Sequence, residues 1–307
     1  MRINMIANKF KIFFAVFLLS FGYAAAQNKS DSTSSGDEWE SFKAMEDSLK
    51  ESWGDFDMGF LKNAHPTLSL NFGLSKISLK NFTENFAKPN LIELQIGYTD
   101  YKSKLKANIF EQNYRFASLS YISTKLSGGV NSPNVESNLW RIGLEKTTGL
   151  GYEFKSFSVI PFNSNSLQWS NLDIDQTITN SNDKNLIDLY NKTFCFGTGF
   201  KGGVQFLIAG TVSLDASYER TIIFSRHLFW KWAGSALIET SSQWILDAFI
   251  NEILKSSPYA APVISFLLKN ALSYGMYELR QEKMNWPFKS GPPLAYDEFK
   301  FGVSFVF

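Results

Sequence analysis

The sequence predicts an all-β transmembrane barrel of about eight antiparallel strands in up-and-down order. It also predicts an α-helical insertion before the last strand and a short N-terminal amphipathic helix. Three observations predict this. Beyond Pro66, apolar residues recur at every second position in segment after segment, the period of a strand. Aromatic residues make up 16% of the chain, with 29 Phe, yet no uninterrupted apolar run reaches the ~20 residues of a spanning helix. The connectors alternate between long and short, as they do in membrane barrels. A soluble β-sandwich or lipocalin-like barrel also alternates, but it turns its apolar face inward.

The 307-residue chain opens on "MRINMIANKFKIFFAVFLLSFGYAAAQ". Arg2, Lys9 and Lys11 give a positive start, Ile12 to Tyr23 an apolar core, and Ala24, Ala25 and Ala26 a small-residue cleavage pattern. A secretory signal over 1–26 is expected, cleaved after Ala26. No Cys stands at the site, which argues against lipid attachment. Residues 27–36 read as a flexible leader. Within 37–62, Trp39, Phe42, Met45, Leu49 and Trp53 recur at helical spacing among Asp and Glu. An acidic amphipathic helix on the periplasmic side is expected there. Its aromatic stripe would pack on its own barrel or dock a periplasmic partner.

The strand region is 67–307. The first strand sets Leu68, Leu70, Phe72 and Leu74 against Ser69, Asn71 and Gly73. The second sets Ile92, Leu94, Ile96 and Tyr98 against Glu93, Gln95 and Gly97. The third alternates Ala117, Leu119 and Tyr121 with Ser118 and Ser120, and the fourth Trp140, Ile142 and Leu144 with Arg141, Gly143 and Glu145. A fifth, near 150–162, changes phase between Phe154 and Phe157, which reads as a bulge. The sixth spans 194–208, the seventh 211–225 and the last 298–307. Long connectors are expected near 79–90, 126–137, 163–193 and 226–297, with two of the short ones at 147–149 and 209–210. The glycines of "FGTGFKGG" (196–203) lie in a strand pattern, where they relieve crowding or bend the strand.

The chain closes on "EFKFGVSFVF", with Phe299, Phe301, Val303, Phe305 and Phe307 on alternate positions. This resembles the C-terminal signal of bacterial outer-membrane β-barrel proteins. In that class a terminal Phe, preceded by alternating apolar residues, is read by the barrel-assembly machinery. The resemblance covers the final strand specifically and 67–307 by pattern. It implies an outer-membrane location in a Gram-negative-type bacterium, contact with outer-membrane lipid, and the assembly machinery as a partner. It implies no activity. Independently, a terminal strand pairs on both sides only if the sheet closes, and closure satisfies every backbone group in lipid.

Residues 228–286 change to a helical period, broken by Ser257, Pro258 and Pro262. Charged residues interrupt both helices, so neither reads as a membrane span. The final strand of such a barrel runs inward, so the insertion emerges at the outer face. It is expected there as an extracellular cap or partner-binding surface, or as a pair lying against the barrel wall, in preference to a plug. "MNWPF" (284–288) reads as an interfacial aromatic anchor or a loop hydrophobe.

With apolar residues outward, their alternates face the lumen: Glu93, Gln95, Ser118, Ser120, Arg141, Glu145, Glu153, Lys201, Asp215, Glu219 and Lys300. Glu93, Arg141, Glu145, Asp215, Glu219 and Lys300 are the candidate network. Buried charges need partners, and eight strands leave a lumen that side chains fill. A paired interior without a pore is expected, with an ion path as the alternative.

Little points to chemistry. Net charge is +1, which gives no bias toward nucleic acid. Cys195 is the single cysteine, so no disulfide framework or thiolate site exists. No GxSxG, HExxH or phosphate-loop motif is present, and no cofactor is expected. His65 falls at the inner rim and His227 at the outer one. Ser225, His227 and Glu239 hold the residue types of a hydrolytic triad, but sequence neighbours do not make a triad. Three functions therefore stand in order: a non-enzymatic barrel that engages an envelope protein through its insertion, a small-molecule or lipid transporter, and a rim-located hydrolase or acyltransferase. The apolar insertion favours the first.

Overall fold

Alternating side chains, half apolar and half polar, dictate a sheet with one greasy and one wet face. Here the greasy face is the outer one. The computed structural model describes residues 64–105, 108–127, 135–174, 178, 180–226 and 228–307. The expected signal, leader and acidic helix at 1–62 lie outside the described residues, as does His227. Eight strands close into an antiparallel barrel in sequence order. They are β1 (His65–Leu79), β2 (Asn90–Leu105), β3 (Ile109–Ser123), β4 (Ser137–Glu153), β5 (Phe157–Ile174), β6 (Phe194–Ile208), β7 (Val212–Ile223) and β8 (Leu294–Val306). Closure comes from β8 pairing with β1, Phe301 opposite Phe72 and Val303 opposite Leu70.

Connections are short at one end, which we call lower: 106–108, 154–156 and 209–211. Gly210 takes a φ of 74° in the last of these turns, a left-handed conformation that glycine adopts without strain. The upper end carries the long connections. The longest holds helices α2 (Phe229–Ser256) and α3 (Ala261–Glu282), while α1 (Ser181–Ile187) lies between β5 and β6.

On β1, β2 and β8 the outward row is apolar and exposed: Leu70, Phe72, Leu94, Ile96, Phe299, Phe301 and Phe305 among others. Burying such a side chain is worth about 1.5–3 kcal/mol, which this belt forgoes in water. The inward row is small or polar and buried, including Ser69, Asn71, Glu93, Gln95, Lys300 and Ser304. Two apolar layers shut the ends of the lumen. Leu91, Ile122, Leu139, Leu172, Ile223, Leu294 and Tyr296 pack with Ile187 of α1 and with Tyr190 just after it at the top. Phe110, Ile160 and Leu207 pack at the bottom.

Three expectations are corrected. Thr147, Thr148 and Gly149 lie inside β4, which continues to Glu153, so the turn falls at 154–156 and the phase change is that turn rather than a bulge. Residues 163–174 are strand, not connector: Ser166 pairs with Glu145 on β4 and with Gly199 on β6. The last strand starts at Leu294, four residues before the expected 298. The first two errors share a cause. Asn163, Ser164, Asn165 and Ser166 are polar on both faces, because one face meets the lumen and the other lies on the wall that α3 crosses.

Candidate functional site

The lumen gathers its charges into one layer at mid-height. Arg141 on β4 donates to both carboxylate oxygens of Glu298 on β8, at 3.0 and 2.9 Å, and its Nη2 lies 3.4 Å from Glu93 Oε2. Lys300 on β8 donates to Glu93 on β2 at 2.9 Å and to Glu219 on β7, and sits 3.2 Å from Glu298. Lys201 on β6 pairs with Glu145 on β4.

Neutral groups complete the shells. Asn71, Gln95 and Ser120 donate to Glu93 at 3.0, 3.0 and 2.7 Å. Gln95, Thr147 and Ser164 donate to Glu145, and Gln168 to Glu219 at 2.7 Å. All the charged members except Asp215 are buried. Asp215 lines the void beside Asn71, Gln95, Glu145 and Lys201, whose volume is about 20 Å³. That is room for roughly one water. Charges held this way are fixed by reciprocal pairing, since each alone in so dry a place would cost several kcal/mol.

All six residues of the candidate network thus reach the lumen, and five of them join by direct ion pairs. Lys201 and Ser120 belong to the same layer, whereas Glu153 ends β4 exposed. The sequence reading missed Glu298, the main partner of Arg141. Its signal was present: it lies two residues before Lys300, on the same face of the strand. It also missed Asn71, Ser164 and Gln168.

The second feature is the helical pair, which runs along the outside of the barrel rather than over its mouth. Its base sits near the upper end, where Trp232, Tyr277 and Met284 pack on outward-facing Phe196, Ile222 and Ala295. Its tip reaches the lower end, where Leu254 and Ala261 pack on Ile109, and Tyr152 Oη donates to the Tyr259 carbonyl at 2.6 Å. Of the expected placements, the wall is the one observed. The residues explain it. Gly202, outward on β6, lets α3 come close, since a Cβ there would meet Asn270 Oδ1 of α3 and push that side chain aside. Arg220, outward on β7, lies over the rings of Tyr218, Tyr274 and Tyr277 at 4.7, 4.8 and 5.8 Å, and Tyr277 donates to Asp297 at 2.9 Å.

No protein-family model and no curated protein matches the chain. Several solved structures are similar to it, and two of them show the extent of the match. One is Neisserial surface protein A (NspA), at 13% identity and a TM-score of 0.39, covering 80% of this chain and 100% of that one. The other is Ail, the attachment invasion locus protein of Yersinia pestis, solved with the heparin analogue sucrose octasulfate. It is 10% identical with a TM-score of 0.31, covering 80% of this chain and 99% of that one. No residue of the lumen or the hairpin is carried over from either.

Of the residues considered for hydrolysis, His227 lies outside the described residues. Glu239 pairs with Arg280 at 2.8 Å, within the hairpin. His65 lies at the lower rim, its Nδ1 3.2 Å from the Phe307 carbonyl. Among the described residues, no group of three His, Cys, Asp or Glu is placed to hold a metal ion. Phe299, Phe301, Val303, Phe305 and Phe307 all point outward, Phe307 being 72% exposed.

Proposed function

We propose that this chain is a non-enzymatic outer-membrane β-barrel, a sealed scaffold that engages other components of the envelope through the helical hairpin on its wall. The observation that carries this reading is the filled lumen: an ionic layer between two apolar layers, with a void of only about 20 Å³. Transport through the lumen needs a continuous wet path, and the ion-paired layer leaves only the small void that Asp215 lines. The exposed apolar belt supports a bilayer as the surroundings. The alternating phenylalanines of the last strand support the outer membrane and delivery by the barrel-assembly machinery, which puts the long connections outside and the short turns in the periplasm.

Conductance across a planar lipid bilayer tests the reading. Purified, folded protein is expected to give no steady current above the lipid background. Stable conductance steps would overturn the sealed scaffold in favour of transport.

A further inference from the structure

We propose that the α2–α3 hairpin is immersed in the hydrocarbon of the membrane beside the barrel, with the outer stripe of α2 against lipid acyl chains. The inference rests on the reading of the barrel as membrane-embedded and names the component that its hairpin meets.

Length and placement come first. At ~1.5 Å per residue the two helices measure roughly 42 and 33 Å, enough for a ~30 Å hydrocarbon layer. Their contacts run from Phe196 and Ala295 near the upper end to Ile109 and Tyr152 at the lower, so the pair covers the height of the wall. Whatever surrounds the belt of β1, β2 and β8 surrounds the hairpin as well.

The wall beneath is the second line. Where β1, β2 and β8 turn only apolar residues outward at mid-strand, β4, β5 and β7 turn Lys146, Asn163, Asn165 and Arg220. Bare to lipid, such groups are costly. They lie on the strands that α3 crosses. Asn163 is buried, and Lys146 sits beside the Lys269–Asp247 pair.

The hairpin's own chemistry is the third. Among the described residues no helix is long and apolar enough to cross a membrane by itself. Two ion pairs, however, join the helices: Lys269 with Asp247 at 2.7 Å and Arg280 with Glu239 at 2.8 Å, while Glu278 stays exposed toward the upper end of α3. Arg280 also takes Ser235 Oγ at 3.0 Å. Small polar residues Ser235, Ser265 and Ser273 are buried, while Leu237, Trp244, Ile245 and Phe249 stand 56, 77, 70 and 57% exposed. Polar inward and apolar outward is the pattern that helices show when lipid is the solvent.

Spin labelling tests the proposal. In a Cys195→Ser background, Trp244→Cys and Phe249→Cys place labels on the stripe, and Ile142→Cys places one on the uncovered belt of β4. Each folded protein is reconstituted into phosphatidylcholine vesicles, and relaxation by oxygen is compared with relaxation by a water-soluble nickel chelate. The expected result is an oxygen-to-nickel ratio at 244 and 249 as high as at 142. Labels relaxed by nickel at 244 and 249, with 142 shielded, would place the hairpin in water and overturn the proposal while leaving the barrel reading intact. Shielding from both agents would mean that a second copy or another protein covers the stripe, which also overturns it. Relaxation by nickel at 142 would remove the membrane reading itself.

Discussion

Arg141 and Glu298 face each other across the full width of the barrel. Their strands, β4 and β8, stand four places apart in a ring of eight, and two parallel hydrogen bonds of 3.0 and 2.9 Å join them. The pair acts as a strut that sets the distance between opposite walls. Arg141→Met leaves Glu298 and Glu93 short of a cation in a dry interior. A loss of about 3–5 kcal/mol is expected for such a broken pair. The double variant Arg141→Met, Glu298→Leu removes both charges and should recover most of that loss. Urea unfolding in detergent micelles, followed by tryptophan fluorescence, reads both. Equal stability of the single and double variants would refute the strut.

Gly202 marks where the hairpin comes closest to the wall. Gly202→Leu drives a side chain into Asn270. The barrel should keep its closure, because Gly202 pairs through its backbone with Asn163 and Tyr218. The hairpin should lift. Deuterium uptake across 261–282 is expected to rise, with the β1, β2 and β8 peptides unchanged. Unaltered protection of α3 would count against close packing at this point.

The upper loops carry a pH-sensitive tie. Asp183 of α1 accepts hydrogen bonds from the Thr83 hydroxyl, the Thr83 amide at 3.1 and 3.0 Å, and the Glu84 amide at 3.1 Å. Burial pushes the carboxyl up, but these bonds outweigh it and hold the group below the usual carboxylate range. A folded value below the unfolded one gives stability that is complete above the unfolded value and is lost as pH falls through the folded one. The tie should therefore hold at neutral and mildly acidic pH and release only in strong acid. Asp183→Asn should release it at every pH. Amide proton shifts of Thr83 and Glu84, titrated in micelles, check this; a transition near neutrality would contradict it.

The last residue closes the cylinder at its lower rim. The Phe307 amide donates to the Pro66 carbonyl at 2.9 Å, while its ring points outward. Phe307→Asp keeps the hydrogen bond and removes the apolar end of the row. If the terminal row directs assembly, the folded fraction in isolated outer membranes should fall several-fold, with little change in the stability of protein refolded in micelles. Heat-modifiable gel mobility measures the first and urea midpoints the second. An undiminished folded fraction would strip the row of that role.

The sequence was legible where the outer wall is bare. On β1, β2 and β8, Leu, Ile and Phe alternate with small or polar residues because one face stands exposed on the outside and the other lines a crowded, charged interior. It was illegible where the hairpin covers the wall. Lys146 and Asn165 sit at outward positions, so β4 appeared to end early and β5 to dissolve into a loop. The charges of the lumen could be listed from alternation, but their pairing could not. Whether Arg141 meets Glu298 or Glu219 depends on strand stagger around the ring, which no single strand encodes.

The position of the hairpin also governs how the cylinder is finished. It rides on β4 to β7, so the line along which the first and last strands meet stays bare below Asp297, lined by Leu70, Phe72, Phe301 and Phe305. The first and last strands therefore close the sheet on the side away from the hairpin, and among the described residues no helix lies over that line.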